Sequence, residues 1–107
     1  MIVELRTYTL QNGKMSSFVE HYVNAGLPVM KRVLGNFLGF YTSDIGMQNQ
    51  VIHMWGYESH ADRETRRKQL ATEPDWIAYI KNGPPVVISA ETRILIPSAF
   101  SPSWKTT

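Results

Sequence analysis

Cysteine is absent from the 107 residues. That excludes a disulfide framework, a thiolate metal site and a thiol nucleophile, and a cytoplasmic setting is the default expectation. A strong charge imbalance is also absent. The chain has 11 basic and 9 acidic residues and a formal net charge of +2, too near balance to expect a nucleic-acid partner. No apolar run has the length to cross a bilayer. Glu4 and Arg6 interrupt the place where a signal peptide would need its apolar core, so no membrane partner is expected. There is no glycine-rich phosphate loop, no Gly-x-Ser-x-Gly elbow and no acid dyad, which argues against nucleotide-driven and common hydrolytic mechanisms. The three histidines lack metal-ligand spacing and a local carboxylate pair. Neither a metal nor any other cofactor is expected.

What is present fits one domain, 1–107, since a 43% hydrophobic share in a chain this short supports a single modest core. Ile2 to Thr9 alternates as a strand, and Gln11-Asn12-Gly13 marks a turn. From Met15 the period becomes helical through Phe18, Val19, Tyr22 and Val23. Gly26 and Pro28 should kink or briefly break that helix before Val29, Met30, Val33 and Leu34 resume it, and Gly35 suits the left-handed position past its end. Phe37 to Ile45 and Gln50 to Tyr57 form a hairpin, hence an antiparallel pair. Ser59 and Asp62 match a capping box opening a charged helix with Leu70 as its apolar anchor. Pro74 begins a further helix with Trp76, Ile77 and Ile80 on its apolar face. Val86 to Ile96 is the last strand, and the tail carries Phe100 and Trp104. The order βαββαβ predicts a ferredoxin-like α+β fold, a four-stranded antiparallel sheet with helices on one face and strand order 4-1-3-2.

Alternation sorts the sheet into two sets. Val3, Leu5, Leu38, Phe40, Ile52, Met54, Ile88 and Ile94, with Ala90 and Thr92, are plainly apolar and are expected beneath the helices. Glu4, Arg6, Tyr8, Tyr41, His53, Trp55, Tyr57, Glu91 and Arg93 are expected on the face the helices leave bare. That set is too aromatic for water, so a second copy of the chain should cover it by two-fold symmetry.

At this point several stretches together resemble one family: Glu4-Leu5-Arg6-Thr7-Tyr8-Thr9-Leu10, Gly13-Lys14-Met15, Asn49 to Trp55 with Tyr57, Ala61-Asp62-Arg63-Glu64, Arg66-Arg67, and Arg93-Ile94-Leu95 with Pro97. Over about residues 2 to 102 the chain is similar to the NIPSNAP family. The resemblance implies a ferredoxin-like domain that pairs into a dimeric α+β barrel. That barrel is shared with cofactor-free monooxygenases, small isomerases and haem-handling enzymes, while the family itself has no settled activity. A single domain without a presequence resembles the short bacterial members.

The candidate residues each carry two readings. His53, the best catalytic candidate, is a general base if Glu4 or Glu91 lies beside it; the plainer reading is a hydrogen-bonded histidine in a subunit interface. Glu4, Arg6, Glu91 and Arg93 are expected to pair across neighbouring strands, fixing register or clamping an anion. Tyr8, Trp55 and Tyr57 suit either a ligand wall or an interface. A cavity between sheet and helices would instead be lined by residues such as Met15, Tyr22, Phe40 and Met54. Arg63, Arg66, Arg67 and Lys68 read as a solvated basic face, as do His21 and His60 on their helices. Two functions stand: a homodimer that binds a small apolar or aromatic molecule, with cofactor-free oxidation or isomerisation as its chemistry, or a non-catalytic protein-interaction module. Haem ranks below both, because no histidine is placed as an axial ligand.

Overall fold

In the computed structural model, which describes residues 1–103, the elements run β1 Ile2–Leu10, α1 Met15–His21, a π-helical turn Tyr22–Gly26, α2 Leu27–Leu34, β2 Asn36–Thr42, β3 Gln50–Tyr57, α3 His60–Thr72, α4 Pro74–Asn82 and β4 Val87–Leu95. Trp104 lies outside the described residues. All strand pairs are antiparallel, in the order β2-β3-β1-β4, which is the expected 4-1-3-2 arrangement of the ferredoxin-like fold. None of the described helices is long and apolar enough to cross a membrane.

Local signals explain the elements. Pro28 sits in the first turn of α2, where its missing N–H costs nothing. The helix before it widens by one π turn instead of breaking, and Tyr22 and Gly26 are both buried there. Gly35 ends α2 at φ +88 and returns its N–H to the Lys31 carbonyl at 3.1 Å. At α3, Ser59 Oγ accepts the Asp62 N–H at 3.1 Å, and Asp62 Oδ2 accepts the Glu58 N–H at 3.1 Å. This is the reciprocal capping arrangement, reached one residue further upstream. Leu70 is buried, as its anchor role requires.

On β1 and β3 the two faces are the reverse of the sequence-based expectation, whereas Phe40, Ala90, Thr92 and Ile94 lie on the helix side and Tyr41, Glu91 and Arg93 on the open face, as expected. The side chains under the helices are Ile2, Glu4, Arg6, Tyr8 and Leu10 of β1 with Val51, His53, Trp55 and Tyr57 of β3. Val3, Leu5, Ile52 and Met54 stand on the open face, half-buried. Alternation separates the two faces of each strand but does not say which of them is buried. The buried set holds the larger aromatic surface, and its one acid is neutralised by partners from another element. The register also separates residues expected to pair. Arg93 lies opposite Leu5 and Glu91 opposite Thr7, so both face away from Glu4 and Arg6. Arg93 Nε donates to Glu91 at 2.6 Å within its own strand. In β2 a register shift between Phe37 and Gly39, with Gly39 at φ +156, brings Phe37 and Phe40 to the helix side. Tyr41 stands opposite Ile52, on the open face.

On α4, Ile77 and Ile80 are more than half exposed. Trp76 packs on the core as expected, and Tyr79 turns inward beside it in place of the two isoleucines.

Candidate functional site

The charged centre of the domain is Glu4, whose side chain is fully buried. Arg63 Nε donates to its Oε2 at 2.6 Å, Tyr57 Oη donates to Oε1 at 3.1 Å, and Arg67 donates to Oε1. Arg6 Nη1 is 3.6 Å from Oε2. Burial alone would raise the Glu4 carboxyl. The Arg67 charge, and hydrogen bonds from Arg67 and Arg63, outweigh burial and hold it below the usual carboxylate range. Arg63 and Arg67 are four residues apart on α3, so one helix face delivers both. Arg66 caps the end of α2, donating to the Val33 carbonyl at 3.1 Å, and pairs with Asp62 at 2.9 Å. Three of the four basic residues expected to form a solvated face are thus tied into the fold. Lys68, paired with Glu64 at 3.2 Å, remains exposed.

His53 stands on β3 directly opposite Arg6 and is 2% exposed. Tyr8 and Tyr22 meet its ring edge-on, at centroid distances of 5.2 and 5.4 Å. The Trp55 indole N–H reaches Nδ1 at 3.1 Å, and the Tyr22 hydroxyl is also 3.1 Å from Nδ1. Burial foremost, then the Arg6 and Arg67 charges, lowers this imidazole to about 3, against an opposing pull from Glu4. The ring is neutral. An indole N–H can only donate, so Nδ1 carries the lone pair and the single proton resides on Nε2. That Nε2 is buried and has no hydrogen-bond partner among the described residues. The basic nitrogen is occupied, so the ring can donate from Nε2 but is not placed to abstract a proton.

The orphan N–H belongs to a residue lining a cleft of about 400 Å³ between the sheet and the helices. Arg6 and Tyr8 line it from β1, Tyr22 from the π turn, and Trp76 and Tyr79 from α4. Arg6 Nε donates to the Tyr8 hydroxyl at 3.0 Å. Burial pushes the Tyr22 phenol well above its ordinary value and the Tyr79 phenol up to about 12, so both stay protonated. His21, expected in solvent, is half-buried. It stacks on Tyr79 at 4.6 Å and donates Nε2–H to the Tyr79 carbonyl at 2.8 Å.

The structure thus brings Arg6, Tyr8 and His53 to one cleft. Glu4, Trp55 and Tyr57 lie behind it as support, and Arg93 is on the opposite face. Of the alternative lining residues, Tyr22 contributes, while Phe40 packs on Tyr22 and His53 from behind. Tyr79 was missed. Its signal was the three-residue spacing from Trp76, which puts two aromatics on one face of α4. Among the described residues, no three His, Cys, Asp or Glu side chains gather as a metal-binding group.

Comparison with known proteins gives the family. The NIPSNAP family model matches residues 3–102, and the chain belongs to that family. A NIPSNAP family protein from Agrobacterium tumefaciens is 42% identical, with a TM-score of 0.91 over 94% of this chain and 96% of that one. A NIPSNAP-like domain protein from Burkholderia xenovorans is 38% identical, with a TM-score of 0.90 over 95% of this chain and 89% of that one. Protein NipSnap of Drosophila melanogaster is 32% identical over 102 residues, which are 95% of this chain and 37% of that protein. The chain therefore spans well under half the length of that curated relative.

Proposed function

We propose that this protein binds a small apolar or aromatic molecule in the cleft between its sheet and its helices, and that it does so as a homodimer. The observation that carries the binding reading is the buried His53 Nε2–H, which has no partner and belongs to the wall of an aromatic-lined cleft. Leaving such a donor unsatisfied costs about 1–3 kcal/mol, and an acceptor on a ligand would recover it. Any turnover there, whether cofactor-free oxidation or isomerisation, would start from a ligand held by that donor.

The dimer rests on the other face. Val3, Leu5, Ile52 and Met54 leave an apolar band across β1 and β3 with no helix over it. A second copy packed sheet to sheet would cover it symmetrically. A partner protein bound through the Arg63 to Lys68 helix is the weaker reading, because Arg63 and Arg67 are turned onto Glu4.

Native mass spectrometry and light scattering of the purified protein test both parts. The expected result is a dimer that takes up 2-naphthamide, a neutral two-ring probe, at one site per chain. A stable monomer at micromolar concentration would contradict the dimer. Uptake that survives filling of the cleft by Ala90→Trp would contradict the site.

A further inference from the structure

The cleft's charge pattern says which ligands it should prefer. Among the described residues, Arg6 is the only permanently charged side chain that lines it, and no acidic side chain does. Around Glu4 stand three arginines for one carboxylate. Arg63 and Arg67 make the close contacts with it. Arg6 is left with the longest, at 3.6 Å, and gives its Nε to the Tyr8 hydroxyl. Its positive charge is the least compensated of the three. His53 offers one N–H and no free lone pair, for the tautomer reason given above. His21, also in the wall, has its Nε2 committed to the Tyr79 carbonyl. The phenols of Tyr22 and Tyr79 are neutral donors. A fixed cation and an orphan donor on one wall, with aromatic rings around them, complement an acceptor that bears negative charge.

We infer that the cleft selects an aromatic oxyanion: a flat molecule of one or two rings whose carboxylate or phenolate oxygen lies against Arg6 and accepts the His53 Nε2–H, with its rings among Tyr8, Tyr22, Trp76 and Tyr79. This rests on the cleft reading of the preceding subsection and adds the chemical class of the ligand. A cleft of about 400 Å³ has room for such a molecule and falls within the range of small-molecule sites.

The test is titration calorimetry of the intact protein with 2-naphthoate and its neutral isostere 2-naphthamide. The expected result is at least tenfold tighter binding of naphthoate. Arg6→Gln should bring the naphthoate and naphthamide affinities to within about twofold of each other, and Arg6→Lys should retain part of the preference. Equal affinities for the two probes overturn the anion assignment and leave the cleft reading standing. Binding of neither probe overturns both. Should the Arg6 variants fail to fold, the unmodified protein still decides through 4-nitrophenol, whose phenolate absorbs at longer wavelength than its neutral form. At a pH where free 4-nitrophenol is mostly neutral, the bound dye should show the phenolate spectrum. A neutral spectrum on binding overturns the assignment.

Discussion

Trp55 donates its indole N–H to Nδ1 of His53 at 3.1 Å, from two residues along the same strand. That single bond decides which histidine nitrogen carries the proton and so turns Nε2 into the donor of the cleft. Trp55→Phe removes the bond and part of a fully buried side chain. The expected loss is about 2–4 kcal/mol of unfolding free energy, measured in denaturant, together with proton exchange between the two ring nitrogens in ¹⁵N spectra. A variant that stays within about 0.5 kcal/mol of the parent would show that the bond is not held in solution.

Acid should weaken the fold in two stages. In the folded protein His53 titrates at about 3, against an ordinary 6.5. Below pH 6.5 the unfolded chain therefore takes up a proton that the folded one does not, and stability falls as pH drops. At a limiting slope of about 1.4 kcal/mol per pH unit, moving from pH 6.5 to 5 costs about 2 kcal/mol. Glu4 acts lower. Its folded value lies below the ordinary 4.5, so its contribution is present above that pH and is lost as pH falls beneath it. Denaturant curves at several pH values should show both windows, and His53→Gln should flatten the upper one. An unchanged slope in that variant would assign the upper window to another group.

Glu4→Gln leaves Arg63 and Arg67 without their shared carboxylate. The expected cost is about 3 kcal/mol. Glu64→Gln breaks only the exposed pair with Lys68 and should cost no more than about 0.5 kcal/mol. Similar losses for the two would mean that Glu4 is not the charged centre it is here.

Gly26 has no room for a side chain, because a Cβ would come within 2.7 Å of the Tyr79 ring. That ring is hemmed in by His21 and Trp76. Gly26→Ala should cost about 1–3 kcal/mol by overpacking and weaken naphthamide binding, since Tyr79 would be displaced in the cleft wall. Full retention of both stability and binding would show that α4 adjusts freely.

The element order, the strand order, the capping box at Ser59 and the hairpin were all legible in the sequence, because each depends on local periodicity and turn residues. The orientation of β1 and β3 was not, although that of β4 was. Glu4 and Arg6 looked like surface residues, since a charge costs little only in water or beside its partners. The partners, Arg63 and Arg67, lie some sixty residues away. Their i,i+4 spacing was visible, but not the carboxylate it served. Ile2, Leu10 and Val51 share the phase of Glu4 and His53 and were the apolar clue to the buried side. The Phe37 to Gly39 irregularity escaped notice because a bulge shifts alternation by one residue without a distinct composition. His53 was legible as a candidate, whereas its role as a donor depends on Trp55 sitting at Nδ1, a matter of side-chain geometry.

On the open face, Leu5→Asp combined with Ile52→Asp should convert the proposed dimer to a folded monomer, since both side chains stand clear of the core. Light scattering alongside circular dichroism reads the two properties separately. A dimer that survives both charges would place the subunit contact elsewhere.

The central claim is that a ligand is held beneath the helices by the His53 Nε2–H. NMR of the intact protein with ¹⁵N-histidine and ¹³C-methyl leucine and isoleucine, recorded with and without 2-naphthoate, tests it most directly. The account predicts a neutral His53 with its proton on Nε2, and a downfield shift of that proton when naphthoate binds, with the methyl signals of Leu5 and Ile52 unmoved. A proton on Nδ1, or a ligand response confined to Leu5 and Ile52 on the open sheet face, would contradict it.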